Sequence, residues 1–141
     1  MRKALRVVLL VAAFSLPAAA LACGYCVEDK IAAVYDHAAV TRAIEEKHTI
    51  VFFAIDGPLK PGDATRGKIQ AIARSAQGVD RDSVRVSVDL ATLAVAFDPR
   101  RANLAAVQGA LDRRLAPLGL SLLAIRVMDR PGDLAEMRRA R

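Results

Sequence analysis

The stretch Ser83-Val84-Arg85-Val86-Ser87-Val88-Asp89-Leu90-Ala91-Thr92-Leu93-Ala94-Val95-Ala96-Phe97-Asp98-Pro99 alternates twice between two kinds of face. Val84, Val86 and Val88 point one way, and Arg85, Ser87 and Asp89 the other. A period of two marks a half-buried strand. Leu90-Ala91 can turn the chain, after which Leu93, Val95 and Phe97 share a side until Asp98-Pro99 stops the run. Two such runs with a short link read as a hairpin. What flanks this hairpin decides the fold.

Upstream, Thr49–Ile55 is a run of β-branched and aromatic residues, apolar on both faces, which reads as a buried strand. Asp56-Gly57-Pro58 ends it. Asp63 or Thr65 can cap a helix that places Ile69, Ile72, Ala73 and Ala76 on one face, with Gly78 just beyond its end. Downstream, Asn103 can cap a further helix with Leu104, Val107, Leu111 and Leu115 as its buried stripe, ended by Pro117 and Gly119. Leu120–Val127 is a last strand. The order β-α-β-β-α-β predicts an α+β, ferredoxin-like domain over residues 49–128, an antiparallel sheet in spatial order 4-1-3-2 with two helices on one face.

The first and last strands are apolar on both sides, yet they are neighbours in that order. A second apolar sheet face must be covered by something. A helix predicted over residues 27–47 is one cover, with Val27, Ile31, Val34, Ala38 and Ile44 at helical spacing. A second copy of the chain is the other. Asp129–Arg141, with Pro131, Gly132 and four arginines, reads as a flexible tail.

Gly78-Val79, the hairpin Val84–Asp98, and the helix that follows resemble the second half of a heavy-metal-associated domain. That family includes copper chaperones, metal-binding modules of copper-pumping ATPases and a periplasmic mercury scavenger. The resemblance covers roughly residues 49–127 and implies the ferredoxin-like fold and soft-metal handling. The family holds its metal on a C-x-x-C in the loop after the first strand. Here that loop, Gly57–Arg66, has no cysteine. The only cysteines are in Cys23-Gly24-Tyr25-Cys26, which with Val27 and the helix behind it is similar to the family's ligand motif, displaced to the N-terminus.

Residues 1–22 have the anatomy of a secretory signal peptide: Arg2, Lys3 and Arg6, then an apolar run to Leu16, Pro17, and the small-x-small site Ala20-Leu21-Ala22. Cleavage there makes Cys23 the N-terminus of a periplasmic or secreted chain. A lipid anchor on Cys23 is the weaker alternative, because Ala20 and Leu21 stand in the reverse order for a lipid-modification site. The leader carries three of the 21 Lys and Arg and none of the 15 Asp and Glu, so the remaining chain has a net charge of +3. Its cations are scattered and aromatics are few, which excludes a nucleic-acid stripe. No later segment is apolar enough for a membrane span.

Two thiolates two residues apart can converge on one soft ion, Cu(I) or a similar thiophilic metal. A helix N-terminus favours thiolate, which serves metal binding and thiol–disulfide exchange alike. Cys-Gly-Tyr-Cys is also the active-site tetrapeptide of a periplasmic disulfide isomerase, although there a strand precedes it and here none does. Three roles for Cys23 and Cys26 therefore stand side by side: a metal site that exchanges ions with a donor or acceptor protein, a redox pair, or a structural disulfide. His37 and His48 lie too far along the chain to join the pair, and Met128 and Met137 are too few for a methionine site. No nucleophile elbow or phosphate loop is present, so nothing marks an enzyme beyond the thiols. A straight helix over residues 27–47 followed at once by the first strand would return the thiols to the end of the sheet that carries Gly57–Arg66, where Lys60, Arg66 or Lys68 could neutralise a thiolate–metal anion.

Overall fold

The computed structural model describes residues 26–139. The chain runs α1 (Val27–Ala32), α2 (His37–Glu45), β1 (Thr49–Asp56), α3 (Asp63–Arg74), β2 (Arg85–Ser87), β3 (Thr92–Phe97), α4 (Leu104–Leu115), β4 (Ser121–Met128) and α5 (Pro131–Arg139). The sheet order is β2-β3-β1-β4 and every pairing is antiparallel. This is the ferredoxin-like α+β arrangement that the hairpin and its flanks predict.

Two cores lie on opposite faces of one sheet. On the first face α3 and α4 bury Ile69, Ala73, Val107, Leu111 and Leu115 against Val51, Phe53, Leu93 and Val95. On the second, Ile31, Val34, Val40 and Ala43 cover Ile50, Phe52, Ala94, Ala96 and Met128, and Leu134 of α5 packs against the same group. The two-faced apolar character of β1 thus has its cause in two separate cores, and the N-terminal segment supplies most of the cover over the sheet in the second. Fully burying a large aliphatic or aromatic side chain contributes about 1.5–3 kcal/mol, so each face carries several such contributions.

Three boundaries differ from expectation. The N-terminal helix is not continuous: it breaks between Ala32 and His37. Asp36 takes an extended conformation, accepts a hydrogen bond from Ala39 N at 3.1 Å and caps α2. Its other oxygen accepts from Arg85 Nη2 at 2.7 Å and Nε at 3.0 Å, which ties the break to the edge strand. A short Asp side chain bonds to nearby backbone N–H groups better from a cap than from a helix interior. Apolar spacing does not register this preference.

The strand expected over Ser83–Asp89 shrinks to Arg85–Ser87, because Arg81–Ser83 form a 3₁₀ turn. There Ser83 Oγ donates to Asp80 O at 2.6 Å and accepts from Ala96 N at 2.7 Å, closing the ladder with a side chain. The segment read as a flexible tail contains α5. Asp133 Oδ2 accepts from Asp129 N and Arg130 N, both at 3.0 Å, and satisfies two N–H groups at the helix start.

At the other end of β1, Gly57 has φ of 121° and Gly119 of 72°. A side chain at Gly57 would run into the Gly119 carbonyl, so the loop after β1 and the turn before β4 are packed backbone to backbone.

Candidate functional site

Cys26 precedes the first turn of α1 as its N-cap residue, and its carbonyl accepts from Lys30 N at 3.2 Å. The side chain is exposed and the thiol is free. Its Sγ donates to Asp29 Oδ2 at 3.2 Å. Cys at one position and Asp three later lie one above the other on a helical turn. That spacing was available in the sequence as a C-x-x-D overlapping the C-x-x-C, and it identifies Asp29 as a hydrogen-bond partner of the thiol. The other half of the pair, Cys23, lies with Gly24, Tyr25 and the proposed leader 1–22 outside the described residues. Among the described residues, no group of three or more His, Cys, Asp or Glu side chains is placed to hold a metal.

Among the described residues, Ile31, Glu28 and Lys30 tie α1 to the sheet. Ile31 is fully buried in the second core. Glu28 pairs with Arg126 of β4. Lys30 Nζ donates to Leu90 O, in the β2–β3 turn, at 3.0 Å. From there the chain reaches the Asp36–Arg85 pair on β2, the opposite edge of the sheet. The segment therefore crosses the strands from β4 to β2, where a straight helix would have run along β1. Arg126 pairs with Phe52, four residues before the end of β1. Leu90, held by Lys30, lies beside that end, where the next carbonyl, Ala91 O, accepts from Ile55 N at 2.8 Å. The helix is not straight, and the segment is tied both to the middle of β4 and to the turn beside the end of β1, with Ala33, Val34, Tyr35 and Asp36 lining one cleft with Arg66 and Gln70.

The loop itself carries no sulfur side chain. Lys60 and Lys68 line a cleft with Pro58, Leu59, Thr65, Leu118 and Leu120. Arg66 is turned to Asp63, with Nη2 2.7 Å from Oδ1. Neither histidine joins the thiol. His37 Nδ1 is 3.3 Å from the Tyr35 hydroxyl at the start of α2. His48 Nδ1 is 2.6 Å from Asp80 Oδ2 and 3.6 Å from Glu46 Oε2, which links the start of β1 to the loop before β2. Met128 is buried in the second core. Among the described residues no helix is long and apolar enough to cross a membrane.

Two carboxylates are held below the ordinary carboxylate range. The Asp98 carboxyl is lowered to about 2, chiefly by the Arg100 side-chain hydrogen bond and then by Arg100 N. Asp36 is lowered by the Ala39 N–H first and by Arg85 second. Both are structural ties, away from the thiol.

No family model matches the chain, and no curated protein matches it. Solved structures similar to it include a copper-binding domain from HMA7, a P-type ATPase, at 14% identity, covering 56% of this chain and 96% of that one with a TM-score of 0.45. Another is oxidised MerP from Ralstonia metallidurans CH34, at 16% identity over 56% of this chain and 99% of that one, with a TM-score of 0.44. A third is the N-terminal domain of a potential copper-translocating P-type ATPase from Bacillus subtilis in its Cu(I)-loaded state, at 22% identity over 58% of this chain and 92% of that one, with a TM-score of 0.44.

Proposed function

We propose that this chain is an exported, periplasmic protein that carries or buffers a soft metal ion, Cu(I) or a similar thiophilic ion, on Cys23 and Cys26. It is a divergent relative of the heavy-metal-associated domains whose ligand pair has moved from the loop after β1 to the processed N-terminus. The observation that carries the reading is the exposed, free Cys26 thiol at the start of α1, three residues after the only other cysteine. Soft thiolates at C-x-x-C spacing favour soft ions. The export pattern of residues 1–22 supports the compartment.

A site that includes the exposed Cys26 thiol suits transfer, because a partner's ligands can approach the ion from solvent. Asp29, in contact with Cys26, takes the thiol proton's hydrogen bond before metal arrives. Metal binding needs thiolate and so releases that proton. The ion is cargo, to be received from or passed to a partner protein.

The test is an anaerobic titration of the chain from Cys23 onward with Cu(I) against a competing chelator. Tight binding is expected, and it should disappear in Cys23→Ser and in Cys26→Ser. No binding together with turnover of a disulfide substrate assigns the pair to thiol–disulfide exchange instead. No binding and no turnover leaves a structural disulfide.

A further inference from the structure

The charges of this chain are sorted by layer. The loop after β1 and the outer layer formed by α3 and α4 carry Lys60, Arg66, Lys68, Arg74, Arg113 and Arg114, all exposed. The same elements hold two acids, Asp63 and Asp112. Asp63 is paired with Arg66, and Asp112 Oδ1 accepts from Leu122 N at 2.8 Å. Six cations against two acids leave this layer at +4, more than the +3 of the whole chain after residue 22. On the opposite face, α1, α2 and their links carry five acids against Lys30, Arg42 and Lys47, a net of −2. The scatter of charge along the sequence is therefore a polarity in three dimensions.

We propose that the α3–α4 layer is a docking face for an anionic phospholipid surface. The two helices pack side by side and present small residues outward between the cations, among them Gly67, Ala71, Ala105 and Ala106. Among the described residues the exposed large apolar side chains are Val27, Leu123 and Val127, and none belongs to this layer. Protein interfaces concentrate their binding energy in buried aromatic or aliphatic anchors, which this face lacks. Stacking on bases needs aromatic side chains, and neither α3 nor α4 contains one. A smooth cationic face with no anchors suits a partner recognised by a diffuse negative potential, as at a bilayer of acidic lipids. Docking by this face leaves α1 and Cys26 on the far side of the sheet, turned to solvent.

The test uses the chain from Cys23 onward, which carries every described residue, with phosphatidylcholine vesicles prepared with and without phosphatidylglycerol. Co-sedimentation is expected only with the anionic vesicles. It should fall steeply as salt rises and the Debye length shrinks below about 10 Å. One variant reverses Lys68, Arg74 and Arg113 to Glu, and another of equal total charge reverses Lys47, Arg81 and Arg139. Each basic residue near such a surface strengthens attraction roughly fivefold, so the first variant should lose at least about a hundredfold in affinity. The second should lose far less.

Lys68→Glu alone, at an exposed site, should weaken binding in a chain whose circular dichroism is unchanged. Equal loss in both triple variants would reduce the effect to net charge and overturn the proposal. So would equal binding to neutral vesicles, or no binding at low salt. Stronger binding to polyglutamate than to anionic vesicles at equal charge concentration would assign the face to an acidic protein instead. None of these readouts involves metal, so the outcome is independent of the role of the thiols.

Discussion

Ile31→Ala is the sharpest probe of how the thiol-bearing segment is held. Ile31 is fully buried and is the only buried residue of α1. Removing its side chain costs about 2–4 kcal/mol, as lost burial plus the cavity left against Ile50, Phe52 and Met128. The remaining ties are weak. The Glu28–Arg126 pair is half exposed and contributes about 0.2–1 kcal/mol. The bond from Lys30 to Leu90 O adds about 1 kcal/mol. A six-residue helix cannot sustain itself, because ordering each residue costs about 1–2 kcal/mol and its few hydrogen bonds do not offset that. The variant should therefore release α1 while residues 49–128 stay folded. Hydrogen exchange reads this directly: the amides of Lys30, Ala33 and Val34, bonded in the native turn, should lose protection, while β1 amides keep theirs. Val107→Ala, in the first core, should instead lower protection throughout the sheet. If Ile31→Ala left the α1 amides protected, or weakened every element equally, the account of α1 as a separately docked arm would be wrong.

Acid should weaken the fold in a defined window. Asp98 and Asp36 are depressed in the folded state, so their stabilisation is present above the ordinary carboxylate value near 3.8 and is lost as pH falls through the folded values, for Asp98 about 2. Urea unfolding should show less dependence on pH in this range for Asp98→Asn than for the parent. Asp36→Ala removes the α2 cap and the Arg85 partner together, and a fall of roughly 1–2 kcal/mol is expected by the same assay. Gly67 lies inside α3 with open space where a Cβ would go, so Gly67→Ala should raise stability by about 0.5–1 kcal/mol and the melting temperature with it. Along the outer edge of β4, Leu122 N and O are occupied by Asp112 Oδ1 and Gln108 Nε2 at 2.8 and 2.9 Å. Removing both side chains frees that edge for pairing. Gln108→Ala with Asp112→Ala should give concentration-dependent association in sedimentation, and a strictly monomeric double variant would show that the side chains do not guard the edge.

Much of this architecture is readable from periodicity. β3 falls on Thr92–Phe97 as its alternation predicts, and Asn103 caps α4 through Ala106 N at 2.8 Å. Those signals are local: alternation and a cap involve residues within a few positions of each other. The break in the N-terminal helix is only half local. Asp36 can cap from the sequence alone, but its second oxygen is taken by Arg85, 49 residues away. The short β2 has the same character, since Ser83 Oγ takes the bond from Ala96 N that a longer strand would have made through its backbone. The thiol pair is legible as a motif, and Cys26 as a helix start. The neighbour that touches it, Asp29, follows from helical spacing once that start is fixed.

By itself the sequence determined the order of elements, the antiparallel βαββαβ class and the need for a second covered face, because burial imposes a period on every strand and helix. Only the tertiary structure decided what covers that face, which way α1 runs across it, and that Arg126 and Leu90 tie its start to β4 and to the turn beside the end of β1. It also decided that cations spread over the sequence collect on one helical layer. The reason is the same in each case. Periodicity records which side of an element is buried, while direction across a sheet and charge on a face are set by contacts between residues far apart in the chain.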